Sequence, residues 1–324
     1  MNYSESEKVL DLVKKSKRIF LNCHNHPDPD SIGSATSMYE VLKYFGKEVF
    51  IYCPSEVMDE YKFIPNSDQI NTSDYEHINF SEFDLIIVMD SSSWDRVSGI
   101  ADLNPPEEID IVNIDNHKTN TAFGSINILE PGVASTCEML WKIYQDWNFE
   151  INSNMALSLL SGIYGDTGSF QYSETTAKTH EIAKDLIERG ADHNKIVSNL
   201  YRSMKPEIIS YMKVVLENYK IENNYVWFAI NYEQYGSVGK PEDVDVIDFL
   251  LDGMNGSDFG FRIIEKEPRV AAISFRARVD AVDVSRFAAK LGGGGHQGAA
   301  GAKIEGDFEE VVDRVLKIVR NEIN

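Results

Sequence analysis

The chain has 324 residues, with 31 Lys and Arg against 52 Asp and Glu, a net charge of −21, and 43% hydrophobic residues. The apolar fraction excludes a disordered polymer, and the length predicts about two domains. The charge excludes long nucleic acid as a generic partner, because such binding rests on many Lys and Arg contacts to phosphate. It leaves room for a small phosphorylated ligand held by a local basic patch or by metal ions. Cys23, Cys53 and Cys137 are odd in number and far apart, so neither a disulfide framework nor a structural zinc site is predicted, and a reducing compartment fits. The N-terminus lacks the order of a signal peptide. The strongest apolar run, Leu85 to Met89, falls far short of the ~20 residues of a membrane span, so a soluble cytoplasmic protein with no membrane partner is expected.

In chain order, Val9, Leu10, Leu12 and Val13 lie at helical spacing in a segment beginning near Ser4. A short buried strand follows at Ile19–Cys23, then a loop from His24 to Ile32 and a helix from Gly33 to Phe45. Further strands are predicted at Glu48–Tyr52, Leu85–Met89 and Ile109–Ile114, and helices at 134–147, 153–164 and 176–189. Short apolar strands alternating with helices predict a doubly wound α/β domain with a parallel sheet over residues 1–202. Ser203-Met204-Lys205-Pro206 breaks the pattern, and Pro206 suits the first turn of a linker helix over 203–219. Residues 220–324 read as a smaller α/β domain with a mixed sheet. Its predicted order is strand 225–231, helix 243–252, strands 258–265 and 270–278 joined as a hairpin at Lys266-Glu267-Pro268, helix 283–290, a glycine loop, strand 300–304 and helix 307–321.

The acidic residues are informative by position. His24-Asn25-His26-Pro27-Asp28-Pro29-Asp30 follows the first strand, Asp90 follows Leu85–Met89, and Asp115-Asn116-His117 follows Ile109–Ile114. Ligand sites in open α/β sheets lie at the carboxyl ends of strands, so three strand ends deliver Asp and His to one edge. Asp166, after the helix at 153–164, is placed to reach the same crevice. Any one of these Asp residues alone reads as a helix cap or turn former. Together they would repel strongly without cations, and carboxylate mixed with imidazole suits Mn²⁺ or a similar divalent ion. An extended backbone at Asp28-Pro29-Asp30 would point both carboxylates the same way, toward two adjacent metals, the usual apparatus for attack on phosphorus. Asp28, Asp30, Asp90 and Asp166 against two divalent ions sum to zero charge and leave a site tolerant of phosphate.

Four segments, His24-x-x-Pro27-Asp28-x-Asp30-x-x-Gly33-Ser34, Val88-Met89-Asp90-Ser91-Ser92, Ile114-Asp115-Asn116-His117 and Gly162-Ile163-Tyr164-Gly165-Asp166-Thr167-Gly168, resemble in order and spacing the motifs of the DHH phosphoesterases. Ser274-Phe275-Arg276-Ala277-Arg278 with Gly292–Gly301 resembles the DHH-associated substrate-binding domain. Within the family the chain is similar to the short two-domain nanoRNases, oligoribonucleases that also remove the 3′-phosphate of 3′-phosphoadenosine 5′-phosphate. The resemblance implies that His24, Asp28 and Asp90 hold one metal. It implies that Asp30, Asp90 and Asp166 hold the other, with Asp90 bridging and Asp115 orienting its neighbours. The chain departs from the family at Asn116, where a histidine usually completes the second metal site. Either that metal is weaker or His117 takes over.

Gly293-x-Gly295-x-x-Gly298 matches a dinucleotide fingerprint formally, but it follows a helix and precedes a strand, which rejects that reading. An isolated glycine run reads as a flexible turn. With His296 directly after Gly293, Gly294 and Gly295, backbone lying close against a ligand is the better expectation, with His296 donating to a phosphate. Arg276 and Arg278, two apart on a strand, are expected on one face, either as a solvated face or as the local basic patch; Arg262 is a weaker candidate. The reading is a phosphoesterase with its site in the interdomain cleft, using two divalent cations, Mn²⁺ first among them. Asp90, Asp115 and His117 are its catalytic centre, and His117 or His296 assists the phosphate or leaving oxygen. Short RNA and 3′,5′-phosphorylated nucleotides are its expected partners, long duplexes are excluded, and a homodimer is implied by the resemblance alone. The alternatives are a cyclic or linear dinucleotide phosphodiesterase, of the cyclic di-AMP type, and a non-catalytic nucleotide sensor. A processive DNA exonuclease and a pyrophosphatase are disfavoured by the short acidic chain and by the glycine loop.

Overall fold

The computed structural model describes the chain apart from residues 73–74, 102, 107, 203–205, 242–245, 279–281 and 324, and the side chains at 248 and 252. Ser203, Met204 and Lys205, where the pattern breaks, therefore lie outside the described residues, as does the start of the helix expected at 243–252. The chain forms two compact units, Met1–Ser203 and Met204–Asn324.

The first unit is built on six strands: β1 (Arg18–Asn22), β2 (Glu48–Cys53), β3 (Ile70–Thr72), β4 (Leu85–Met89), β5 (Ile111–Asp115) and β6 (Ile126–Leu129). All pair in parallel in the order β3-β2-β1-β4-β5-β6. The chain direction of the winding reverses between β1 and β4, the switch point at which α/β sheets open a crevice. Alternation along each strand supplies two cores. Ile19, Leu21, Leu85, Ile87 and Met89 face the helices Ser6–Lys15, Pro29–Tyr44, Thr136–Asp146 and Ser153–Asp166. Phe20, Ile86 and Val88 face an aromatic layer of Tyr75, Phe83 and Trp94. The sequence reading omitted the edge strands β3 and β6, which are three and four residues long and only partly buried, and so lack an apolar run. It also omitted the helix His193–Tyr201, of which only Ile196 is buried.

Two shifts of boundary matter for the site. The helix expected from Gly33 begins at Pro29, because Asp28 caps it by accepting from the amides of Asp30 (3.0 Å) and Ser31 (2.9 Å), and Pro29 fits the first helical position. Asp28-Pro29-Asp30 is therefore not extended: Asp28 has extended backbone and Asp30 lies in the first helical turn. The strand expected at Ile109–Ile114 runs instead from Ile111 through Asp115, so Asp115 is its last residue and is fully buried.

The helices Pro29–Tyr44 and Ser153–Asp166 cross at glycines. A Cβ on Gly33 would overlap the Ser158 carbonyl oxygen, and one on Gly162 would lie 2.6 Å from Asp30 Oδ1 and closer still to Cys137 Sγ. Gly162→Ala is therefore expected to lower stability by about 1–3 kcal/mol, read by denaturant unfolding, and to weaken metal binding by displacing Asp30. Unchanged unfolding would show that the crossing relaxes freely.

The second unit has strands β7 (Lys220–Glu222), β8 (Tyr225–Ile230), β9 (Phe259–Glu267), β10 (Val270–Ala277), β11 (Gly294–Gly295) and β12 (Ala299–Glu305), in the order β11-β12-β10-β9-β8-β7. The sheet is mixed, parallel only at β8–β9. The β9–β10 hairpin turns at Pro268-Arg269, with Arg269 in left-handed backbone (φ 64°). One face packs Trp227, Phe261, Ile273 and Phe275 against the helices Ser285–Lys290 and Phe308–Ile323. The other packs Val226, Phe228 and Ile264 against Pro206–Asn218, through Tyr211 and Val215, and against Val246–Gly253.

Candidate active site

Seven of the predicted residues, His24, Asp28, Asp30, Asp90, Asp115, His117 and Asp166, converge at the carboxyl ends of β1, β4 and β5. His24 is buried two residues past β1. Its Nε2 lies 3.4 Å from Asp28 Oδ2 and 3.3 Å from Asp90 Oδ2, while its Nδ1 lies 3.0 Å from the Asn25 carbonyl oxygen. A donor at Nδ1 turns the Nε2 lone pair toward the carboxylates, the tautomer a metal ligand needs. Asp90 directly follows β4 in left-handed backbone (φ 53°), a strained conformation that Asp tolerates better than most residues and that functional sites retain. Its amide donates to Ile114 O at 3.1 Å, tying β4 to β5.

Asp30 is fully buried, with Oδ2 accepting from the Thr136 amide (2.7 Å) and Oδ1 from the Cys137 amide (2.9 Å). It thus sits on the N-terminus of the helix Thr136–Asp146, which favours negative charge. Asp166, the last residue of its helix, comes alongside Asp30 through the glycine crossing. Asp115 Oδ1 lies 2.7 Å from His117 Nδ1, and its Oδ2 accepts from Asn120 Nδ2 at 2.6 Å.

Among the described residues, three groups have ligand atoms all within 4.8 Å of one another: His24, Asp28 and Asp90; Asp30, Asp90 and Asp166; and Asp90, Asp115 and His117. Asp90 belongs to all three. His24 Nε2 and Asp90 Oδ2 are buried and make no hydrogen bond, although buried polar atoms are nearly always satisfied. Oxygen and imidazole ligands around orphaned atoms fit a hard to borderline divalent cation. The three cysteines are free and buried, and none joins these groups.

Charge in the metal-free cluster is poorly compensated. Burial, then the charges of Asp90 and Asp28, push Asp30 up to about 8 against the Cys137 hydrogen bonds. Burial and then Asp30, Asp90 and Asp28 raise Asp166, and burial and Asp28 raise Asp90. Burial opposes charge on His24, but the adjoining Asp28 and Asp90 carboxylates carry it up to about 11. Asp28 is held below the ordinary carboxylate range: burial works against this, and His24 with the Ser31 and Asp30 amides outweighs it. The Asp115 hydrogen bond raises His117 to about 9, burial opposes, and the charges of Asp90, Asp115 and Asp30 add. Bound cations reverse the sign of these carboxylate shifts.

Both polar atoms of the Asn116 amide are engaged by the protein. Its Nδ2 donates to Val133 O (3.2 Å) and its Oδ1 accepts from Thr136 Oγ1 (3.1 Å), bracing the segment whose amides hold Asp30. Sequence reasoning missed Asn120, which also donates to Asn113 Oδ1 (2.8 Å) and Ser91 O (3.2 Å). It missed Asn22 as well, whose Oδ1 accepts from the Met89 amide (2.9 Å) and whose Nδ2 donates to Ser91 Oγ (3.2 Å). A lone Asn ending the apolar run Ile19–Leu21 was the available signal for Asn22; nothing marked Asn120.

The remaining predicted residues lie in the second unit. Arg276 and Arg278 do not share a strand: β10 ends at Ala277, and Arg278 Nη2 donates to the carbonyls of Leu251 and Met254 (2.7 Å each) at the end of the helix Val246–Gly253. Arg276 remains on β10, on the face of Ser274, which pairs with Arg262. Gly293 and Gly295 approach backbone rather than open space, because a Cβ on either would overlap Gly301–Ala302 or Ala299–Ala300, while Gly294 meets nothing within 4 Å. His296 is exposed at the turn, its amide donating to Ala299 O at 2.8 Å.

Among the described residues no helix is long and apolar enough to cross a membrane. Residues 18–163 match the DHH family, N-terminal domain, and residues 224–324 match the DHHA1 domain. A Thermus thermophilus protein named bifunctional oligoribonuclease and PAP phosphatase NrnA is 29% identical over 99% of this chain and 95% of its own length. A Bacillus subtilis protein of the same name is 25% identical over 92% of each. The crystal structure of an exopolyphosphatase-related protein from Bacteroides fragilis superposes with a TM-score of 0.87 at 24% identity, over 98% of this chain and 95% of that one, a likeness of fold. With both domains matched in order and relatives aligned end to end, the chain belongs to the DHH family of phosphoesterases.

Proposed function

We propose that this chain is a manganese-dependent cytoplasmic phosphoesterase that hydrolyses short RNA to mononucleotides and removes the 3′-phosphate of 3′-phosphoadenosine 5′-phosphate. Residues 1–202 carry the chemistry in this reading, 203–219 act as the linker helix, and 220–324 bind substrate. The observation that carries it is the sharing of Asp90 between the His24/Asp28 and Asp30/Asp166 groups, with unsatisfied buried atoms on Asp90 and His24. His24, Asp28, Asp30, Asp90 and Asp166 would hold two divalent cations, which when bound supply Lewis-acid stabilisation of charge on phosphate and a nucleophilic water at neutral pH.

The chain's own groups do the rest. Asp115 fixes the His117 ring through Nδ1, so Nε2 is the atom left to donate a proton to the leaving oxygen. The Asp115 hydrogen bond, the largest cause of the raised pKa of His117, favours the protonated ring. Asn120 holds the second oxygen of Asp115, so the pair cannot rotate away. Because Asn116 braces Thr136, its presence does not dismantle the ligand groups, which favours an enzyme over a non-catalytic sensor.

The test is release of mononucleotides from a trinucleotide, and of phosphate from 3′-phosphoadenosine 5′-phosphate, by the purified protein with Mn²⁺. Dinucleotides run alongside. No release from either substrate overturns the reading. Arg276 is assigned to phosphate binding, so Arg276→Ala is expected to raise KM for the trinucleotide about tenfold, with little change on a small chromogenic ester. Equal effects on both substrates would remove Arg276 from the binding surface.

A further inference from the structure

One feature of the first unit is used by none of these roles. The segment after Asp166 holds three successive residues in left-handed backbone, Gly168 (φ 53°), Ser169 (63°) and Phe170 (66°). Such a run costs energy and persists only where the surroundings enforce it. Here they do. The Phe170 amide donates to Thr167 Oγ1 (2.9 Å), and the Gln171 and Tyr172 amides donate to Thr167 O (2.8 and 3.0 Å). The Phe170 ring is wedged between Tyr164, edge-on at 4.9 Å, and His180, stacked at 5.0 Å.

What this rigid loop presents is Tyr172. Its ring lies across Gly168, where a Cβ would come within 2.5 to 2.9 Å of three ring atoms, and the residue is 54% exposed. Tyr201, 46% exposed, donates its hydroxyl to the Tyr164 carbonyl at 3.0 Å. The two tyrosines are thus anchored on backbone two residues to either side of Asp166. Their phenols sense each other: Tyr201 is pushed up to about 12 by burial and then by Tyr172 and Tyr164. The turn Asp59–Tyr61 packs against the helix ending at Tyr201 and brings Tyr61 within the influence of Asp28.

We propose that Tyr172, flanked by Tyr201, is a preformed stacking platform for the base of the nucleotide whose phosphate enters the Asp28/Asp166 side of the site. Acidic surroundings offer a phosphate nothing without cations, whereas an aromatic face binds any base through its π-surface and is indifferent to charge. Holding the ring on a hydrogen-bonded loop removes the ordering cost that a mobile side chain would bring. A single aromatic face of this kind suits a short substrate and any base. It rests on the nucleotide reading above.

The test is equilibrium binding, with Mn²⁺ present, of two trinucleotides of identical non-hydrolysable backbone, one with adenine bases and one abasic, so that turnover plays no part. A 2-aminopurine in the first reports stacking by quenching. Native protein is expected to bind the adenine form about tenfold or more tightly than the abasic form. Tyr172→Phe keeps the preference; Tyr172→Leu, of similar bulk without a π-face, abolishes it and the quenching. If Tyr172→Leu weakens both ligands equally, or neither, the platform is overturned while the nucleotide reading stands. If native protein binds neither ligand, the nucleotide reading fails and the platform fails with it.

Discussion

Replacing Asp90 by Asn is expected to lower phosphoester hydrolysis by at least about a thousandfold, with the fold intact. The asparagine is chosen because it tolerates the left-handed backbone at this position (φ 53°) as Asp does, whereas Ala would confound lost charge with strain. Asp90 is the single carboxylate common to all three ligand groups, so its neutralisation weakens every one of them at once. Asn120→Ala provides the graded comparison. Its link to the ligand groups is the outer oxygen of Asp115, and its loss is expected to cost about 10–100-fold, the range for outer partners of a metal site. Both are read as initial rates on a trinucleotide with saturating Mn²⁺, with circular dichroism as the control for folding. An Asp90→Asn enzyme within tenfold of native would refute the shared-ligand arrangement.

Chelator-treated protein is expected to lose stability steadily as pH rises from about 5 to 9. Folding raises Asp30 to about 8, His117 to about 9 and His24 to about 11, and raises Asp90 and Asp166 as well. Each such group binds its proton more tightly in the folded state. Its contribution is complete below its ordinary value, near 4 for carboxylates and 6.5 for imidazole, and is lost as pH climbs through the folded value. Asp28 moves the other way, but its effect is confined to pH below about 4. The shifts therefore act in one direction over the working range, and the melting temperature is expected to fall by about 5 °C or more between pH 5 and 8. Mn²⁺ replaces the protons, so its addition stabilises most at the alkaline end and flattens the profile. Profiles that coincide with and without chelator would mean that the cluster holds no cation.

The site was legible in outline because it rests on topology. Parallel strands in the order β3-β2-β1-β4-β5-β6 bring the carboxyl ends of β1, β4 and β5 together, so an Asp or His just past each apolar run had one place to go. The local geometry was not legible. Whether Asp28-Pro29-Asp30 is extended or helical depends on a side chain capping two amides, a competition that spacing does not reveal. Arg278 read as a companion of Arg276 on one strand face, a candidate for the basic patch, because nothing in the sequence shows that carbonyls of Leu251 and Met254 lie beside it.

What the sequence determined by itself was the class of architecture, the two sheets and the identity of the acidic and imidazole groups, since apolar periodicity and chain order set these locally. What only the tertiary structure decided was which of those groups share a ligand position and how each is held. The shared position of Asp90, the seating of Asp30 on the helix amides of Thr136 and Cys137, and the crossing of two helices at Gly33 and Gly162 join residues more than a hundred positions apart or on different elements. Such contacts arise when whole elements pack, at separations where close approach depends on the absence of a single methyl group, and a linear pattern carries no record of that distance.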